Sequence, residues 1–120
     1  GVNEVILFDK GGKTYAWHHD RNGFAYTFEA GTGTLIAAEK VHPFVNWATH
    51  VDLKTGIPHK DGKASTHQDY NTKGICPSAL GTKDQQPAAY SPRTGLMYSP
   101  LNHVCMTYEP VESKYIAGQQ

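Results

Sequence analysis

Two cysteines and their neighbours are the residues of this chain whose chemistry is most open to interpretation. In the stretch "NHVCMTYEP", Cys105 lies two residues after His103 and four residues before Glu109. A thiolate, an imidazole and a carboxylate can all ligate zinc, and a cysteine near a histidine can also be a nucleophile. The same cysteine could instead form a disulfide with Cys76, so the stretch alone permits three interpretations.

The rest of the chain favours the disulfide and leaves the other two open. The cysteines do not form a CxxC pair, so a four-ligand zinc site would need histidines or acids from elsewhere. No helix N-terminus is indicated near Cys76 that would activate its thiol. An even number of cysteines in a turn-rich chain favours a disulfide and an oxidising compartment.

The histidines give little support to a metal site, because none forms an i, i+4 pair on a helix. Surface or half-buried imidazoles are their ordinary interpretation. They are His18, His19, His42, His50, His59, His67 and His103.

Length and charge exclude several classes of protein. The chain has 120 residues, enough for one small domain, and its 11 basic residues balance 11 acidic ones. We therefore expect neither a nucleic-acid partner nor a polybasic membrane anchor. The longest apolar run, Val5 to Phe8, is far too short to span a bilayer. No signal peptide is visible in the opening "GVNEVILF", and we expect the chain to be an internal piece of a longer one.

Aromatic and β-branched runs alternate with turns throughout, which predicts an all-β chain. The predicted strands lie in "EVILF", "TYAWHH", "FAYTFE", "TLIAA", "FVNWATHV", "AAYS" and "LMYSPL". The turns "DRNG" and "PRTG" contain residues that close tight hairpins. Residues 59–73 are almost wholly polar and are predicted to form a surface loop.

A Thr-Gly turn follows an aromatic strand at three places, Thr32-Gly33, Thr55-Gly56 and Thr94-Gly95. This recurrence predicts repeated antiparallel hairpins, as in a β-propeller or another repeated sheet array. An ordinary β-sandwich with similar hairpins is the alternative.

Several longer strings make the chain more specific. "HHDRNGFAYTFEAGTGTLIAAEKVHPFVNWATHVDLKTG", "ICPSALGTKDQQPAAYSPRTGLMYSPLNHVCMTYEP" and "YIAGQQ" occur in this order. Together they resemble the large subunit of the alcohol dehydrogenases that depend on pyrroloquinoline quinone (PQQ), the methanol dehydrogenases and their relatives. The resemblance covers nearly the whole chain.

The resemblance implies an eight-bladed β-propeller with PQQ on its central axis, of which residues 1–120 would form roughly two blades with no internal domain boundary. It implies a periplasmic enzyme that oxidises methanol or another short-chain primary alcohol to the aldehyde. Calcium or a lanthanide would assist PQQ, and a cytochrome c would accept the electrons. The chain would pack against the remaining propeller blades of its parent.

The resemblance also assigns residues. Arg21, in "DRNG", matches an arginine that contacts the quinone oxygens, and Cys76 and Cys105 match a structural disulfide. Asp84, in "GTKDQQ", falls where the methanol enzymes have an asparagine that contacts PQQ, so it is the second candidate cofactor-binding residue. Because an ionised carboxylate cannot donate a hydrogen bond, we expect Asp84 to pair with Arg21 or Lys83 instead of touching the quinone.

Two alternatives for Asp84 stay open. Burial could keep its carboxyl protonated, so that it donates an O–H, or the neighbouring Lys83 or Gln85 could take over the contact with the cofactor.

Other residues of the family site are expected outside this chain. The catalytic aspartate would lie just before Gly1, and the metal ligands and the tryptophan that stacks on PQQ would lie further upstream. No catalytic or metal-ligating residue is therefore predicted here, and Trp17 and Trp47 are predicted to pack in the core. The competing hypothesis is a small secreted β-rich binding module without catalytic activity, which would use residues 59–73 as its contact surface.

Overall fold

The computed structural model describes residues 3–112, 114 and 116–118. Within them the chain forms ten strands: β1 (Ile6–Lys10), β2 (Lys13–His19), β3 (Phe24–Glu29), β4 (Leu35–Lys40), β5 (Ala48–Val51), β6 (Pro58–Lys60), β7 (Thr72–Ile75), β8 (Ala89–Ser91), β9 (Leu96–Tyr98) and β10 (Met106–Tyr108). A 3-10 helical turn, Gly62–Ala64, lies between β6 and β7. Every strand pair is antiparallel, so the prediction of an all-β chain of antiparallel hairpins is confirmed.

The first four strands form one sheet in the order β1-β2-β3-β4. Their sequences are rich in aromatic and β-branched residues, which pack well on a pleated surface. Phe8 lies opposite Tyr15 in the ladder, and their rings stack with centroids 5.5 Å apart. Such cross-strand aromatic pairs stabilise a sheet beyond its backbone hydrogen bonds.

The hydrophobic core lies between this sheet and the segment that leads into β5. Phe24 on β3 is 1% exposed and packs with the buried Val45 and Ala48. Trp47 meets Phe24 edge to face at 5.9 Å, and its indole N–H donates to the Asn22 carbonyl at 2.7 Å. The core role predicted for Trp47 is therefore confirmed. Both tryptophans are half-buried, but among the described residues Trp17 on β2 is not one of those that pack against this core.

The three Thr-Gly turns have the same backbone geometry. Each connects the two strands of a hairpin, and in each the glycine N–H donates to the carbonyl four residues earlier at 2.8 Å. The three glycines have φ values of +72°, +71° and +69°, in the left-handed region that glycine tolerates best. The recurrence in the sequence is therefore a structural repeat. The pairs are Gly33 to Glu29, Gly56 to Asp52, and Gly95 to Ser91.

Three strands were missed by the sequence analysis: β6, β7 and β10. The predicted loop at residues 59–73 accordingly begins inside β6 and ends inside β7. Its middle is mostly exposed, although Ala64 is buried. β7 pairs with β10, so this ladder joins segments about 30 residues apart and could not be read from either segment alone.

Candidate functional site

Arg21 lies in the tight turn between β2 and β3. The turn is closed by hydrogen bonds between Asp20 and Phe24 and between Gly23 and Asp20, and the Asp20 carboxylate accepts the Arg21 N–H at 2.8 Å. The Arg21 side chain is half-buried, and its Nη2 donates to the Ala79 carbonyl at 2.8 Å. A guanidinium has five N–H donors, so this one bond fixes the group and leaves donors for a ligand.

The segment after Cys76 covers Arg21 from the other side. The Thr82 N–H donates to the Arg21 carbonyl at 2.9 Å. Gly81 has φ +78°, and a Cβ there would lie 2.7 Å from both the Arg21 carbonyl oxygen and its Cβ. Any larger residue at this position would displace the turn, so Gly81 permits a close backbone approach.

An open cavity of about 390 Å³ lies beside Arg21. Arg21 is the charged residue among the described residues that line this cavity. The lining consists of Arg21, Asn22, Trp47, Ile75, Pro77, Ser78, Ala79 and Gly81. A fixed cation beside an aromatic ring and apolar walls suits an anionic, planar ligand that carries hydrogen-bond acceptors.

Asp84 lies at the end of the same segment but does not line this cavity. Its N–H donates to the Gln86 side chain at 2.9 Å, and its carbonyl accepts from Lys83 Nζ at 3.3 Å. Among the residues that the structure describes, the Asp84 carboxylate forms no ion pair. The expectation that it pairs with Arg21 or Lys83 is wrong, because the Arg21 guanidinium bonds to Ala79 and Lys83 is taken by another acid.

That acid is Glu4, and its pair with Lys83 was not anticipated. The Lys83 side chain is 1% exposed, and its Nζ contacts Glu4 Oε2. Partial burial raises the pKa of Glu4, but hydrogen bonds from Lys83 Nζ and the Ala88 N–H outweigh it and lower that pKa to about 2. The sequence around Lys83 gives no sign that this lysine is buried, because its partner lies 79 residues away along the chain.

Cys76 and Cys105 form a disulfide with Cα atoms 4.4 Å apart. It lies next to the β7–β10 ladder, directly beyond the Ile75–Met106 pair. The prediction of this bond is confirmed, and the thiol-nucleophile and metal-ligand interpretations of Cys105 are removed. The neighbouring His103 packs its ring on Phe44 and His42, with centroids 4.0 Å and 4.8 Å away.

The described part of the chain contains no cluster of three or more His, Cys, Asp or Glu side chains that could hold a metal ion. Nor does any helix within it have the length and apolar character needed to cross a membrane.

No family model matches the chain. Compared with individual proteins, it is 54% identical to the "Lanthanide-dependent methanol dehydrogenase" of Methylorubrum extorquens over 99% of its own length and 22% of that protein. It is 40% identical to the "Quinoprotein ethanol dehydrogenase" of Pseudomonas putida, over 98% of the chain and 21% of that protein. Among solved structures, a "Europium-containing methanol dehydrogenase" superposes with a TM-score of 0.87 at 46% identity, over 98% of the chain and 21% of that structure.

The chain belongs to the methanol and quinoprotein alcohol dehydrogenase family. It spans about one fifth of the length of the relatives that it matches. The resemblance stated from its motifs is confirmed, and so is the fold class, because the structures of this family are β-propellers. Within the described residues, one sheet has four strands and each of the other sheets has two. The named relatives are all dehydrogenases, which favours the enzyme hypothesis over the binding module.

Proposed function

We propose that this chain supplies part of the cofactor site of a PQQ-dependent alcohol dehydrogenase and that Arg21 contacts the quinone. The observation that carries the proposal is the fixed Arg21 guanidinium beside an open cavity, in a chain of this family. When bound, PQQ would supply the oxidising quinone that accepts a hydride from the alcohol carbon. Arg21 would hold the quinone oxygens and stabilise the negative charge that grows on them.

The residues at the cavity fit such a ligand in part. PQQ carries carboxylates and quinone oxygens, so it needs hydrogen-bond donors and positive charge, and Arg21 provides both. An ionised carboxylate at Asp84 accepts only, and it does not line the cavity. We therefore propose that Arg21 contacts the quinone directly and that Asp84 belongs to the loop that covers Arg21. The Asp84 N–H is already donated to Gln86, so Asp84 offers the quinone no spare backbone donor.

The remaining parts of the enzyme belong to the same proposal. The general base and the ligands of calcium or a lanthanide would come from other parts of a longer propeller, in which residues 1–120 form one continuous unit. The substrate would be methanol or another short-chain primary alcohol, oxidised to the aldehyde. A cytochrome c would receive the electrons, and the protein would work in the periplasm. The names of two relatives, one lanthanide-dependent and one europium-containing, support a metal of this kind.

The test is Arg21→Lys in the whole enzyme, which keeps the charge but loses the planar fork. By analogy with the loss of one oxyanion donor, kcat for alcohol oxidation in a dye-linked assay should fall by about 10–1000-fold. The matched control is Arg93→Lys, because Arg93 lies exposed in the Thr-Gly turn between β8 and β9. An unchanged kcat for Arg21→Lys would return Arg21 to the role of an ordinary turn residue.

A further inference from the structure

A row of buried polar side chains lies behind Arg21. His19, at the end of β2, is 2% exposed, and Thr82 is fully buried. His19 Nδ1 is 2.7 Å from the Ser99 hydroxyl, and His19 Nε2 is 3.0 Å from the Thr82 hydroxyl. The Thr82 hydroxyl is also 3.3 Å from the carbonyl oxygen of Asp20, the residue before Arg21. These contacts connect the segment after β9, the end of β2 and the loop over Arg21.

The donors and acceptors in this row permit one arrangement. A carbonyl oxygen can only accept, so the Thr82 hydroxyl donates to Asp20 and accepts from His19 Nε2–H. A neutral imidazole that donates from Nε2 has no proton on Nδ1, so in that form His19 Nδ1 accepts from the Ser99 hydroxyl. Burial, aided by the nearby charges of Lys83 and His18, lowers the pKa of His19 to about 4, so the ring is neutral near pH 7 and every group in the row has a partner.

The row ends on the two backbone groups that fix the Arg21 turn. Thr82 bonds the Asp20 carbonyl through its side chain and the Arg21 carbonyl through its own N–H. Three residues earlier, the Ala79 carbonyl accepts from the Arg21 guanidinium. The backbone and the side chain of Arg21 are thus both held by residues 79–82, and a shift of this segment would move the guanidinium.

We propose that Thr82 and His19 are positioning residues that hold the Arg21 guanidinium in the direction required by the cofactor. This inference rests on the proposed function, in which Arg21 contacts the quinone oxygens. Neither positioning residue touches the cofactor; Thr82 acts on Arg21 through the backbone, and His19 acts on Thr82 by fixing the direction of its hydroxyl. Catalytic groups must be held within a fraction of an ångström, which is why buried hydrogen bonds behind such a group affect the rate.

The experiment compares Thr82→Val with Thr82→Ser in the whole enzyme. Valine keeps the shape and the backbone N–H but loses the hydroxyl, whereas serine keeps the hydroxyl and loses a methyl group. We expect Thr82→Val to lower kcat by about 10–100-fold, with a smaller change in KM, and to change the absorption spectrum of bound PQQ. For Thr82→Ser, kcat and the absorption spectrum of bound PQQ should both stay close to those of the wild type. A role in folding alone would lower the melting temperature of Thr82→Val but leave kcat per bound PQQ and the spectrum unchanged, and that result would overturn the inference.

A double variant separates this inference from the proposed function. If Thr82 acts through Arg21, then Arg21→Lys combined with Thr82→Val should be no slower than Arg21→Lys alone, because coupled residues are not additive. If the two losses multiply, Thr82 acts elsewhere and the positioning role is wrong, while the Arg21 contact stands. If Arg21→Lys alone has wild-type kcat, both proposals fail. Should Thr82→Val not accumulate, Ser99→Ala removes the outermost hydroxyl of the row and must shift kcat and the PQQ spectrum in the same direction.

Discussion

The four-stranded sheet, residues 6–40, and the C-terminal segment, residues 72–108, are stabilised by different kinds of interaction. In the sheet, each strand pairs with the next strand along the chain, and Phe24 connects the sheet to the core. In the C-terminal segment the strands are three or four residues long. Its cross-links are formed by side chains: the disulfide closes a loop within the segment, and the Lys83–Glu4 pair and the bond from His19 to Thr82 connect it to the N-terminal part of the chain.

The difference shows how the candidate site is assembled. Arg21 sits at a turn of the regular sheet, whose position is fixed by local pairing. The residues that enclose it, Ala79 to Thr82, belong to the segment that depends on long-range side-chain contacts. The sheet therefore places the cation, and the C-terminal segment determines which way it points.

The largest effect is expected in the sheet. Phe24→Ala removes a side chain that is 1% exposed and in contact with Tyr26 and Trp47, and should lower the free energy of unfolding by about 3–5 kcal/mol. Urea unfolding of the whole enzyme, monitored by circular dichroism, gives the value. Phe24→Leu is the control and should recover most of the loss. A cost below about 1 kcal/mol would show that the sheet does not depend on this contact.

In the C-terminal segment the matching test is removal of the disulfide. Its cysteines are 29 residues apart, and closing a loop of that length stabilises the fold by about 3–4 kcal/mol in the chain-entropy model. The double variant Cys76→Ala/Cys105→Ala should lose that amount in the same unfolding assay. Cys105 is exposed, so dithiothreitol should destabilise the wild type similarly and leave the double variant unaffected. Equal sensitivity of both proteins to the reductant would contradict the prediction.

The sequence predicted the sheet far better than the C-terminal segment, for a physical reason. Turn residues such as Asn22-Gly23 and the Thr-Gly pairs act locally, so the hairpins β1 to β4 and β8 to β9 could be inferred from composition. Strands β7 and β10 pair across about 30 residues, and with only four and three residues they are too short to show a strand pattern of their own. Arg21 came from family motifs, and the disulfide from the even number of cysteines as well as from those motifs. Lys83 and Thr82 had no local sign of burial, because their partners lie 62–79 residues away.

A smaller effect is expected from the titration of His19. An unfolded imidazole has a pKa of about 6.5, whereas burial lowers that of His19 to about 4. Between these values the unfolded state binds more protons, so stability rises with pH. The contribution of neutral His19 to the free energy of unfolding is complete above about pH 6.5. It decreases as the pH falls to about 4, by a total on the order of 3 kcal/mol.

His19→Gln should therefore flatten the dependence of the unfolding midpoint on pH between about pH 6.5 and about pH 4.5. The control is His59→Gln, because His59 is exposed on β6. Parallel profiles for the wild type and His19→Gln would mean that the buried histidine does not link the two regions in its neutral form.

The smallest effect is expected at Asp84. Its backbone is held by Gln86 and Lys83, and its carboxylate forms no ion pair within the described chain, so the side chain has little to lose when it becomes an amide. Asp84→Asn restores the residue that the resemblance implies for the methanol enzymes and removes a negative charge near the site. The rate should change by less than about tenfold, equivalent to about 1.4 kcal/mol, and the PQQ content should stay the same. The rate is measured in the dye-linked assay, and the PQQ content is measured from the absorbance of the purified enzyme. A larger rise in kcat would mean that the Asp84 carboxylate faces the quinone and opposes the negative charge that Arg21 is proposed to stabilise. The C-terminal segment would then contribute a cofactor contact of its own, in addition to orienting Arg21 on the sheet.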